Sequence, residues 1–291
     1  MDYHKPVLLE ETLTFLAPHE GGIYVDATFG GGGHTRAILE RAPGCKVIAF
    51  DWDVRAIEMN APALEQEFPE RFQCIWGNFS QVSLHLKKIG VTQVDGILAD
   101  FGTSRFQIEN SPGLSFSRNA PLDMRMSAAH HFTTAAMLVN QMSERDLADL
   151  FFEYGEERHA RAIAQAIVTQ RKKRLLATTQ DLVDAVLSVV KNRHVGAHPA
   201  TRVFQALRIV VNKELDNIKA LLVQAPGLLK PHGRLVCISF HSLEDRFVKQ
   251  FLREHPLELN ILTKRVVVAQ EIELQNNPSA RSAKLRAAEK K

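Results

Sequence analysis

Four short runs rich in β-branched and apolar residues open the chain: Ile23 to Thr28 (IYVDAT), Lys46 to Asp51 (KVIAFD), Phe72 to Trp76 (FQCIW) and Val94 to Asp100 (VDGILAD). The segments between them repeat apolar residues at helical spacing, and this alternation predicts a parallel sheet with crossover helices. From about Ile108 to Ala200 the pattern changes. AAMLVNQM, ERDLADLFFEYG, ARAIAQAIVTQ and TQDLVDAVLSVV all keep a helical period, and no comparable strand interrupts them. The run FQALRIVVNKELDNIKALLVQAPGLL then continues with helical periodicity, Pro231-His232-Gly233 reads as a turn, and Arg234 to Phe240 (RLVCISF) is a buried-strand candidate. The sheet therefore resumes after a helical insertion. The expected division is an α/β domain in two parts, 1–107 and 201–291, with an inserted helical domain over 108–200.

Four consecutive glycines, Gly30 to Gly33, sit between the first strand and the helix start at His34. In a doubly wound sheet this is where a ligand approaches backbone at a helix N-terminus. Glycine also serves tight turns, so the loop alone says little. Asp51 adds weight, because it ends the second strand 21 residues after Gly30, where a carboxylate can accept both hydroxyls of an adenosine ribose. The pair points to an adenosine-type ligand. A dinucleotide fingerprint would need glycine at Thr35, and a P-loop would need lysine at His34. Phosphate recognition is thus poorly supported. Asp26-x-Thr28-x-Gly30 instead resembles the first motif of S-adenosylmethionine-dependent methyltransferases, whose cationic sulfonium ligand tolerates a carboxylate and carries no pyrophosphate.

Composition narrows the class. The chain has 291 residues, 45% of them hydrophobic, enough for a full core. It shows neither a long apolar run nor a secretory pattern at MDYHKPVLLEE, so a cytoplasmic protein with no membrane partner is expected. Cys45, Cys74 and Cys237 lack disulfide or thiolate-metal spacing and read as buried thiols, and no metal site is expected. Net charge is +3, but Arg281, Lys284, Arg286, Lys290 and Lys291 against Glu289 put +4 after Gln275. A second basic cluster is QRKKR, Gln170 to Arg174, with Arg158 and Arg161 before it. Either cluster could be plain solvated surface; together they favour a nucleic-acid partner.

Six further stretches make the resemblance narrower: HKPVLLEE (His4 to Glu11), PLDMRM (Pro121 to Met126), YGEE (Tyr154 to Glu157), HPATRVFQALRIVVNKEL (His198 to Leu215), SFHSLEDRFVK (Ser239 to Lys249) and NPSARSAKLR (Asn277 to Arg286). In this order they resemble the bacterial 16S ribosomal RNA cytosine-N4 methyltransferases of the MraW/RsmH type. The resemblance implies a Rossmann-like S-adenosylmethionine-dependent methyltransferase sheet with an inserted all-helical, substrate-recognising domain. It implies S-adenosyl-L-methionine as cofactor, and methylation of a cytosine in the decoding region of 16S ribosomal RNA within the small ribosomal subunit. It places the cofactor against Gly32, Gly33, His34, Asp51, Phe79, Asp100 and Gln107. The chain departs from the usual pattern at Phe101, Thr103, Arg105 and Phe106, in Pro112-Gly113-Leu114-Ser115-Phe116, and at Ser279, where arginine is common.

The chemistry asks for an acid after the fourth strand. Cytosine's exocyclic amine is a poor nucleophile because its lone pair is conjugated with the ring, so an acceptor that holds one N–H and then takes the proton assists in-line attack. Asp100 is the expected proton acceptor, and His241, just past the fifth strand, is a second candidate for orienting the base or handling the proton. Arg281, Lys284 and Arg286 are expected to bind substrate RNA. Plainer readings stand beside these. Phe79 could be a core aromatic, His34 could only pack, Asp100 could cap a turn, Glu244 and Asp245 fit a helix start, and RSAKLRAAEK could be an edge strand. A methyltransferase acting on a protein or small molecule, a nicotinamide-dependent oxidoreductase and a non-catalytic binding module are the competing functions.

Overall fold

The four N-terminal apolar runs form strands β1 (Ile23–Asp26), β2 (Lys46–Asp51), β3 (Phe72–Trp76) and β4 (Val94–Asp100) in a computed structural model that describes residues 5–103, 108, 111–190 and 198–291. The chain divides into two compact units, residues 1–104 with 215–291 and residues 105–214. Helix α1 (Leu9–Leu16) precedes β1, and α2 (Gly33–Arg41), α3 (Val54–Glu67) and α4 (Val82–Lys88) connect the strands in the first unit. Every residue of β2 from Val47 to Asp51 is buried, as expected for a parallel strand covered on both faces.

After the other unit the sheet continues through α10 (Glu214–Leu228), β5 (Leu229–Ser239), α11 (Ser242–Glu254), β6 (Leu259–Ile261) and β7 (Lys284–Lys290). The strand order is β3-β2-β1-β4-β5-β7-β6. β1 to β5 are parallel, and β7 runs antiparallel to both neighbours. Two expectations shift. Pro231-His232-Gly233 does not precede the strand but bulges within it, where the register slips between Val94 and Gly96 and His232 takes φ 64°. RSAKLRAAEK supplies an internal strand rather than an edge, because Leu285, Ala287 and Ala288 are buried between β5 and β6.

The second unit is helical: α5 (Ala135–Gln141), α6 (Glu144–Gly155), α7 (Ala160–Arg171), α8 (Thr179–Val189) and α9 (Thr201–Val211). Thr134, Ser143 and Thr178 cap α5, α6 and α8 through their hydroxyls, satisfying amides that a helix start leaves unpaired. Apolar faces meet in a core that includes Phe151, Ile163, Ile167, Leu182, Val186 and Leu207. The expected boundary at residue 200 moves to 214, because Val203, Phe204, Leu207 and Val211 of α9 belong to this core. The helical run read as continuous breaks between α9 and α10. Lys213 adopts φ 50°, and the buried Asn212 side chain accepts from Met126 N and donates to Met124 O, both at 2.8 Å. No helix among the described residues is long and apolar enough to cross a membrane.

Candidate active site

The order β2-β1-β4 places the reversal of chain direction across the sheet beside β1, and open α/β sheets bind ligands outside the strand ends at such a point. Three of the strands that meet there end in aspartate. Asp26 pairs in register with Ala49 and with Leu98, so Asp51 and Asp100 each lie two residues further out. They stand at one level on opposite sides of β1, about 10 Å apart by the strand spacing.

Each carboxylate is held differently. Asp26 is fully buried; Oδ2 accepts from Thr35 Oγ1 at 2.7 Å and Oδ1 from Thr28 N at 3.1 Å. Burial pushes its carboxyl above the usual range, and nearby His34 partly offsets this. Asp51 is also buried. Its Oδ2 accepts from Gly30 N and its Oδ1 from Asp53 N, both at 2.8 Å, which leaves one acceptor site on each oxygen. Burial pushes it up to about 6 despite these two bonds. Asp100 donates its backbone N–H to Thr28 Oγ1 at 2.7 Å, and its side chain stays 22% exposed. Burial raises it to about 6; His34 pulls it down, while Asp26 and Glu244 push it up.

The glycine loop closes over this arrangement. Gly30 and Gly32 take φ 52° and 73°, a region that costs other residues strain. At Gly32 a Cβ would also lie 2.8 Å from Leu64 Cδ1. Asn60 Nδ2 clamps the loop by donating to Gly30 O at 3.1 Å. Gly33 and His34 form the first turn of α2, so the loop offers a ligand backbone amides. His34 does not replace a phosphate-binding lysine: its ring turns inward, with Nε2 2.9 Å from Val7 O and Nδ1 3.9 Å from Asp100 Oδ2. Three carboxylates would repel a pyrophosphate and favour a cation. A sulfonium ligand fits this donor set.

The family model described as the MraW methylase family matches residues 1–291. The chain belongs to that family. It is 47% identical over 306 residues to the ribosomal RNA small subunit methyltransferase H of Thermomicrobium roseum, covering 99% of this chain and 93% of the relative. Against the protein of the same name from Desulfotalea psychrophila it is 47% identical over 291 residues, covering 99% and 98%. This MraW-family chain is accordingly an S-adenosyl-L-methionine-dependent methyltransferase.

In the MraW-family chain the remaining expected site residues fall as follows. Phe79 opens a short 3₁₀ turn (Phe79–Gln81) after β3, half-buried, its ring centroid 6.0 Å from that of Phe101. Gln107 lies outside the described residues, as do Arg105 and Phe106. His241 lies at the same sheet edge as Asp100, since Asp100 pairs with Ile238. Its ring, however, caps α11: Nδ1 accepts from Glu244 N at 3.4 Å, and Glu244 Oε2 accepts from Phe240 N at 2.7 Å. Glu244 is thereby a helix-start carboxylate, as its position suggested.

The three basic candidates separate. Arg281 is exposed and Lys284 half-buried. Arg286 is already committed, its Nε and Nη2 donating to Asp245 at 2.6 and 3.1 Å, so its assignment to RNA is revised to a structural one. Asn60 went unread in the sequence, and Thr28 and Thr35 stood there only as motif positions, without their bonds to Asp100 N and Asp26. Thr35 carried a usable signal, since it occupies the last glycine of the dinucleotide pattern and its hydroxyl instead satisfies a buried acid.

Proposed function

We propose that this enzyme methylates the exocyclic N4 amine of a cytosine in the decoding region of 16S ribosomal RNA, acting on the small ribosomal subunit in the cytoplasm. Asp100 carries the reading: a carboxylate at the switch point, beside the glycine loop, that burial makes more basic and whose oxygens stay partly open. A group of that basicity suits removal of a proton from an amine as it becomes cationic. The names of the relatives support ribosomal RNA of the small subunit as substrate.

In this reading Asp51 receives the ribose hydroxyls on its two remaining acceptor sites, and the backbone of Gly32, Gly33 and His34 faces the cofactor. Phe79 covers the adenine, and Gln107, which lies outside the described residues, is a further cofactor contact. S-adenosyl-L-methionine supplies an electrophilic methyl group. Asp100 holds one N–H of the cytosine amine, aligns its lone pair for attack and takes the proton as the N–C bond forms. Arg281 and Lys284 meet RNA phosphates, and the helical unit contributes recognition through exposed Arg158, Arg161, Lys172 and Lys173.

The test is Asp100→Asn in a single-turnover assay on small subunits lacking the modification, with the methylated base identified by mass spectrometry. Transfer should slow by roughly 10²–10⁴-fold while S-adenosylhomocysteine affinity changes far less. A rate within a few-fold of the parent would show that Asp100 only positions. Methyl transfer confined to protein or to another nucleotide would refute the substrate assignment.

A further inference from the structure

We infer that His34 is a positioning residue for methyl transfer that acts through Asp100 and becomes the resting place of the proton Asp100 removes. The inference rests on the proposed role of Asp100.

The geometry is directional. His34 is buried at the start of α2 with Nε2 2.9 Å from the Val7 carbonyl. A carbonyl can only accept, so Nε2 carries the proton and the neutral ring leaves its lone pair on Nδ1. That nitrogen points at Asp100 Oδ2 from 3.9 Å. The separation is longer than a hydrogen bond, as is common for catalytic pairs before substrate binds. Asp100 Oδ1, by contrast, faces its own loop, with Gly102 N at 3.4 Å. The two carboxylate oxygens thus have different neighbours, Oδ2 lying toward His34 Nδ1 and Oδ1 toward Gly102 N.

The surroundings suit a ring that gains charge. Asp26 on β1 and Asp100 on β4 both interact electrostatically with His34, and Glu244 on α11 acts on Asp100. An imidazolium would face carboxylates and keep its Nε2 bond. In the reaction the amine nitrogen bonds to the methyl carbon as the carbon–sulfur bond breaks, and the electron pair of that bond stays on sulfur. One amine proton passes to Asp100 and from Oδ2 to Nδ1 of His34, leaving neutral N4-methylcytosine and S-adenosylhomocysteine. The imidazolium later releases the proton to solvent. No oxidant or further reactant is required.

His34→Gln tests this, because the amide can still donate to Val7 O but offers no titratable Nδ1. Folding and S-adenosylhomocysteine affinity should stay close to the parent, while single-turnover transfer to small-subunit RNA falls about 10²-fold. The acid limb of its pH–rate profile should move to higher pH, since the charge His34 carries when protonated lowers the Asp100 carboxyl and the amide carries none. His34→Ala, which loses the tether as well, should be slower or less stable than His34→Gln. Independently of activity, the Asp100 carboxyl carbon followed by NMR against pH should titrate higher in His34→Gln than in the parent, because the amide cannot carry the charge that lowers it. A parental rate and pH profile in folded His34→Gln, or an unchanged Asp100 titration in that variant, overturns the proposal alone. Failure of the parent to methylate RNA overturns the reading beneath it and the proposal together.

Discussion

Lowering the pH should weaken cofactor binding through Asp51 specifically. Asp51 is buried with a backbone amide on each oxygen, and burial raises its carboxyl to about 6 in the free protein. Only the ionised form accepts hydrogen bonds from both ribose hydroxyls, so binding holds it ionised and the free protein must give up a proton below that value. At pH 5 about one site in ten is ionised, and the dissociation constant for S-adenosylhomocysteine should rise about tenfold relative to pH 7, or ~1.4 kcal/mol. S-adenosylhomocysteine is the right probe because it lacks the sulfonium charge that Asp26 and Asp100 also feel. Asp51→Asn should bind more weakly at pH 7, by roughly 1.5–3 kcal/mol, and should show a flat pH dependence. The same raised carboxyl acts on folding with the opposite sense. The folded chain binds the Asp51 proton more tightly than the unfolded one, so its contribution to stability is full below about pH 4 and is lost as pH rises through about 6. That loss is at most about 3 kcal/mol. Calorimetry from pH 7 to 5, with Asp100→Asn as a control for the second raised acid, measures the effect. A constant affinity in the parent, or the parent's slope retained in Asp51→Asn, would refute the argument.

Thr35→Val removes the hydroxyl that Asp26 Oδ2 accepts and should destabilise the protein by about 1–3 kcal/mol in chemical denaturation, with cofactor affinity reduced through the displaced loop; an unchanged midpoint would mean that water replaces the bond. Arg286→Ala should cost about 1–3 kcal/mol by leaving Asp245 unpaired, and the double variant with Asp245→Ala should cost less than the sum of the two singles. If Arg286→Ala instead weakens RNA binding in a folded protein, the structural assignment of that arginine is wrong. Replacing Arg281 and Lys284 by glutamine should flatten the log–log salt dependence of RNA binding by up to about 1.4, with no change in cofactor affinity. A parental slope would remove both from the RNA contact.

Much of this protein was readable along the chain. The strand and helix periods marked β1 to β4, the helical insertion and the return of the sheet, because burial on both faces or on one stripe is written into neighbouring residues. The glycine run and Asp51 could be paired from spacing alone, since both flank successive strand ends in a parallel sheet. Other features needed the tertiary structure. Whether α9 belongs to the sheet or to the helical unit depended on which core its apolar face meets and on Asn212 binding backbone 86 and 88 positions away. Arg286 looked like part of a basic tail until β7 entered the sheet and brought it to Asp245, 41 residues distant. His241 and Asp100 looked alike as sheet-edge candidates, and only coordinates separated a ring engaged in capping α11 from a carboxylate left partly open. The pairing of His34 with Asp100 and of Thr35 with Asp26 was also out of reach. Period and composition report whether a side chain is buried, but a buried polar group takes its role from the partner that satisfies it. Here His34 and Thr35 sit on α2, and their partners Asp100 and Asp26 end β4 and β1, which the order β2-β1-β4 sets side by side.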